Sequence, residues 1–129
     1  PPKPLIGVAP GNSMSTVKRL LEEAKVLSDA CDLAIPALES TDVVAHATNP
    51  LDYAWAHHAQ FIEQWGGKGA NTLLLGMNPG PWGMAQTGVP FGATEVAQRF
   101  LNIRPQELKT PFNAHPKRPI VGMSNKEKN

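Results

Sequence analysis

Apolar residues recur at helical spacing twice in the first half of the chain. Val17, Leu20, Leu21, Ala24, Leu27, Cys31 and Ala34 share one stripe, with Lys18, Arg19, Glu22, Glu23 and Lys25 opposite. This spacing predicts a helix opened by Ser15 as N-cap and ended by Pro36. Residues 37–48 read as an irregular or short-strand connection centred on Val43-Val44. A second helix starts at Asn49-Pro50, an N-cap followed by proline at the first helical position, with Asp52 near the positive end of the helix dipole. Leu51, Ala54, Trp55, His58, Ala59, Ile62 and Trp65 line its apolar face, and Gly66-Gly67 stops it.

The pattern then changes. Thr72-Leu73-Leu74-Leu75 is a short continuous apolar run, which reads as a buried strand. Gly76 to Gly92 follows it with five glycines and three prolines in seventeen residues, interleaved with Asn78, Gln86, Thr87 and large apolar side chains. Proline fixes φ and glycine permits positive φ and close backbone approach, so such a loop can hold a few side chains in one geometry. A rigid loop leaving a strand end is where α/β proteins place ligands. Thr94 can cap a third helix carrying Val96, Ala97, Phe100 and Leu101. The rest is mostly loop, with one candidate strand at Ile120-Val121. Residues 1–14 read as an extended arm, and residues 15–129 as one α/β unit.

Composition changes this picture little. At 129 residues with 41% hydrophobic and 18% charged positions the chain suits one domain. No apolar run approaches a membrane span, and a lone cysteine, expected in the core, excludes an internal disulfide. A reducing compartment is the plain expectation. The net charge of +1 hides an asymmetry. From Arg99 onward seven Lys/Arg face two acids, whereas five bases face nine acids before it. A basic end after a pocket loop suits a polyanionic partner, with a solvated tail as the equal alternative.

Asn78 follows the strand directly, so its amide can be aimed into a cleft. A neutral amide can hold a water beside a developing cation without repelling nearby phosphates. Phe91 can stack on a planar ring, and backbone N–H groups of the intervening stretch can donate to its carbonyls. Amide, ring and donors in one cavity would suit an extruded nucleobase. Gln86 and Thr87 read as braces of the loop. Trp55 and Trp65 read as core, and His57 and His58 show no metal-ligand spacing.

Gly76–Gly92 resembles the signature loop of the single-strand-selective monofunctional uracil-DNA glycosylases. Asn49-Pro50-Leu51-Asp52-Tyr53-Ala54 resembles the same family's upstream helix start, and His115-Pro116-Lys117-Arg118-Pro119-Ile120 its downstream segment. The resemblance covers roughly residues 15–123 and implies a three-layer α/β/α fold, present as its N-terminal portion. It implies that Asn78 positions the hydrolytic water and Phe91 stacks on uracil. Met77 joins them in the pocket, while Gly80 and Met84 shape its C5 side. Trp82 stands where phenylalanine is common. Lys117 and Arg118 are the candidate phosphate contacts. The implied reaction releases uracil and leaves an abasic site, with no metal, cofactor or lyase step. The implied partner is single- or double-stranded DNA containing uracil, met by a monomer away from membranes, in the bacterial nucleoid or a eukaryotic nucleus.

The family's uracil-reading asparagine, its histidine in a His-Pro-Ser-Pro-like motif and its wedge loop match nothing in this chain, so the expectation is a truncated product. Two alternatives stand beside an enzyme. One is an inactive remnant that holds DNA or a nucleobase through Phe91 and the basic end. The other is a different α/β enzyme using the loop for a phosphate, although the loop lacks the Lys-Ser/Thr pair of a phosphate cradle.

Overall fold

The computed structural model describes residues 13–126. Helix α1 spans Ser13–Glu39, α2 Pro50–Tyr53, α3 Trp55–Trp65 and α4 Met84–Thr87. A π-helical turn follows at Val96–Phe100 and a 3-10 turn at Gly122–Ser124. Among the described residues there is no β-strand, so the α/β layering expected from the sequence is not seen there and the elements are helices and turns.

Helix α1 starts two residues before Ser15, which lies inside it, and runs through Pro36 rather than ending there. Pro36 lacks only its own donor, and its carbonyl accepts from Ser40 N at 3.0 Å, so the last turn closes normally. The apolar stripe of α1 is only partly covered. Ser28 is buried where α1 meets α2, but Leu27 is 56% exposed and Cys31 only half-buried, against its expected place in the core. Among the described elements α1 packs mainly on α2 and α3, which shield only part of the stripe.

The second helix begins where the sequence placed it. Asn49 Oδ1 accepts from Leu51 N at 3.0 Å, while its Nδ2 donates to Ser28 O, Ser28 Oγ and Asp32 Oδ1. One side chain therefore caps α2 and pins it to α1. The helical run breaks at Ala54, so α2 and α3 are separate segments. Helix α3 then grips the chain after the π turn with its polar side. Gln60 exchanges two hydrogen bonds with the backbone of Arg104, Gln64 donates to Asn102 O, and Trp65 Nε1 donates to Leu101 O at 3.0 Å. Trp65 consequently lies at the surface, 40% exposed, and Trp55 is half-buried with Lys25 Nζ 4.9 Å above its ring. Neither is the core residue its position on the helical face predicts.

A small core forms from Val89, Ala97 and Ile103, covered by Phe61, Leu101 and Met123. The π turn is closed by Leu101 N to Val96 O at 2.9 Å. Thr94 precedes it without capping it, and its buried hydroxyl has no partner among the described residues. The expected strand at Thr72–Leu75 is unpaired, with Leu73 and Leu75 more than 80% exposed. A strand needs a neighbour to take its N–H and C=O groups, and none of the described residues supplies one. The same holds at Ile120-Val121 and Val43-Val44, which are irregular.

Candidate functional site

The loop from Gly76 to Gly92 has two physical halves. Residues 71–79 are exposed throughout. From Gly80 onward the loop is clamped by side chains of α2 and α3. Tyr53 Oη donates to Ala85 O, His57 Nδ1 meets Thr87 O at 3.0 Å, and His58 Nδ1 meets Gly88 O at 2.8 Å. Inside the loop, Thr87 Oγ1 lies 2.6 Å from Gly92 O, and Val89 N donates to Thr87 Oγ1. Buried Gln86 donates to Pro81 O and Pro119 O and accepts from Val121 N at 2.8 Å, tying the loop to the downstream segment. Asn125 adds a bond to Trp82 O.

The two histidines have defined proton positions. Gln106 N donates to His57 Nε2 at 2.8 Å, so that nitrogen is an acceptor and the proton sits on Nδ1, facing Thr87 O. The His57 ring is therefore neutral. Burial holds both histidines below their ordinary range, with the bonds to the Thr87 and Gly88 carbonyls opposing more weakly. Burial likewise holds the Tyr53 phenol well above its usual range, against a smaller opposing effect from Thr48. His57 and His58 were legible in the sequence only as a pair without metal spacing. Their role as clamps on consecutive carbonyls has no sequence signature beyond two adjacent histidines in an apolar helix.

The residues singled out from the sequence divide as follows. Asn78 is exposed, and its Nδ2 donates to Pro79 O at 3.1 Å. That bond fixes which end of the amide is which and leaves Oδ1 without a donor among the described residues. Asn78 lines a cleft of about 340 Å³ together with Arg118, His46, His115, Thr48 and Gln86. Phe91 is absent from that lining. It is 60% exposed, has φ of +54°, and sits by the start of the loop, its Cζ 3.3 Å from where a Cβ on Gly76 would lie. Met77 is 98% exposed, while Gly80 and Met84 are half-buried; none of the three lines the cleft. Lys117 and Arg118 are both exposed, and of the two only Arg118 reaches the cleft. Among the described residues no group of three His, Cys, Asp or Glu is placed to hold a metal ion.

An acceptor oxygen in a cleft that an arginine also lines can orient a water there. Comparison with known proteins finds similar chains. Over 109 residues the chain is 38% identical to the single-strand selective monofunctional uracil DNA glycosylase of Bos taurus. It is 40% identical over 104 residues to the proteins of the same name in Mus musculus and Rattus norvegicus. The chain is a relative of these glycosylases. The matches take in 81–84% of this chain and 35–38% of those proteins, so it spans little more than a third of the length of the curated relatives it matches. No protein-family model matches the chain.

Proposed function

We propose that this chain carries the water-directing part of a uracil-DNA glycosylase site and acts in base excision repair. The observation that supports this most is Asn78. It lies in the loop that resembles the glycosylase signature, at a cleft, with Nδ2 tethered to Pro79 O and Oδ1 without a donor among the described residues. A water donating to Oδ1 turns a lone pair toward an anomeric carbon placed in the cleft. The C1′–N1 bond breaks, uracil leaves with the electron pair, the water oxygen bonds to C1′, and the water's proton passes to solvent or to the departing base. No metal or cofactor takes part. Positioning is the contribution of the amide, since its basicity is too low to abstract a proton.

In this reading Phe91 offers its exposed ring for stacking on uracil, worth about 1–3 kcal/mol per base. By the resemblance Met77 would meet the base and Gly80 and Met84 its C5 side, admitting uracil and small C5-modified uracils. This requires the loop to close from its position here, where none of the three lines the cleft. Lys117 and Arg118 face the phosphates of single- or double-stranded DNA. The fold is the three-layer α/β/α type. Exposed Leu73–Leu75 would be its first strand, pairing once a neighbouring strand takes its N–H and C=O groups. The protein acts as a monomer.

The test is an oligonucleotide with a single uracil, incubated with the chain and then treated with alkali. Cleavage at the uracil is expected, and Asn78→Ala should lower its rate about 10²–10³-fold, the loss typical of removing one positioned polar group. Strand binding without cleavage at enzyme excess would assign the chain to the inactive, DNA-holding class instead.

A further inference from the structure

The cleft that Asn78 lines is also lined by Arg118, read above only as a general phosphate contact, and by His46 and His115, which have no role in the reaction above. Arg118 makes no ion pair among the described residues, and no aspartate or glutamate lines the cleft. His115 is oriented by its own turn. Lys117 N donates to His115 Nδ1 at 3.0 Å, so in the neutral ring the proton sits on Nε2 and remains available as a donor. His46 stands against it, ring centroids 4.9 Å apart and planes at 64°. Its Nδ1 lies 3.1 Å from both Asn113 O and Asn113 Oδ1, two acceptors, which places a proton on that nitrogen. Asn113 is itself held by Glu39 Oε1 and Ala45 O. Two imidazoles held from behind and an unpaired guanidinium thus share one wall of a cavity of about 340 Å³.

We propose that this wall seats one phosphate group of the substrate strand, bound by the Arg118 guanidinium and the His115 Nε2–H, with His46 bracing the His115 ring. The inference rests on the nucleic-acid reading of the site and deepens it. The phosphate beside the target nucleotide becomes the anchor that brings the sugar to Asn78. A planar fork and an imidazole N–H approach from different directions, which suits a tetrahedral oxyanion. A cleft without carboxylates leaves that charge unopposed.

The test measures binding rather than excision. A single-stranded oligonucleotide with one uracil is compared with a copy carrying one neutral methylphosphonate linkage beside the uracil. Each is titrated against the full chain and against Arg118→Gln. Either change alone should weaken binding about 10-fold, and the two together no more than one alone, because both delete the same contact. Arg118→Gln should also reduce the slope of log affinity against log salt by about 0.7. Lys68→Gln, in a separate groove, serves as the charge control. Additive losses would overturn the proposal, as would an Arg118→Gln effect no larger than that of Lys68→Gln. In imidazole ¹H–¹⁵N spectra the His115 Nε2 signal should move with the strand well before it moves with inorganic phosphate. Equal response to inorganic phosphate would make the site one for free phosphate and sink the strand assignment. If the glycosylase reading alone is wrong, uracil and thymine strands bind equally while the Arg118 effect persists. If this inference alone is wrong, uracil preference persists and the Arg118 effect is absent.

Discussion

Gly88→Ala should cost about 3–4 kcal/mol of stability, whereas Gly69→Ala should cost about 1 kcal/mol. Both glycines have φ of +71°, so the conformational penalty of a Cβ is the same at each. Their surroundings differ. A Cβ on Gly69 meets nothing within 4 Å, while one on Gly88 would lie 2.7 Å from both Cβ and O of fully buried Ala54. Ala54 is the joint between α2 and α3, and Gly88 is the residue whose carbonyl His58 holds. Pushing the two apart would therefore also loosen the clamp on the loop. Urea unfolding of the two variants beside the parent chain measures the difference. Equal losses at both positions would show that the loop does not press against the α2–α3 joint.

Acid should release the same clamp. His57 and His58 are held below their ordinary value of 6.5 by burial, so the folded chain binds them neutral. The unfolded chain takes up protons first as pH falls below 6.5, and each histidine then costs up to about 1.4 kcal/mol per pH unit. Their contribution is complete above that value and is lost as pH falls through the lowered folded-state value. Thermal unfolding between pH 7.5 and 5 should show the decline. His57→Gln should flatten it, since glutamine does not titrate. His57→Ala, which leaves the buried Thr87 carbonyl unpaired and opens a cavity at a fully buried position, should lose about 3–5 kcal/mol at neutral pH. A profile unchanged by His57→Gln would remove His57 as a source of the acid sensitivity.

Local chemistry made some of this legible in advance. Asn49-Pro50 announces a helix start because cap and first-turn preferences are satisfied within three residues, and the structure shows that cap. Helix α3 does end before Gly66, but that glycine keeps a right-handed φ of −63° and a Cβ there would meet Ile62 O and Leu20 Cδ1, so the stop is partly a close approach to α1. The density of glycine and proline around Asn78 marked the loop, and the bracing role of Gln86 follows from a buried amide among backbone carbonyls. What failed depends on distant partners. Leu73–Leu75 has the composition of a buried strand but no strand beside it among the described residues, and Cys31 and Trp65 sit on apolar stripes that the described residues cover only in part. Pro36 does not end α1 because a proline removes only the bond to the carbonyl four residues back, and helical bonding resumes with Ser40 N to Pro36 O. The histidine clamp and the His46–His115 wall were hidden for a related reason. Each joins residues about 30 to 70 positions apart, a separation that periodicity does not report.

The central claim is that the loop offers its amide and its benzyl ring to uracil. It is tested most directly by side-chain NMR of the full chain during titration with a strand carrying one uracil and with the same strand carrying thymine. The account predicts that the Asn78 amide and Phe91 ring signals shift together, saturate at one concentration, and respond to the uracil strand alone. If uracil leaves both sets of signals unmoved, or moves one without the other, the account is contradicted.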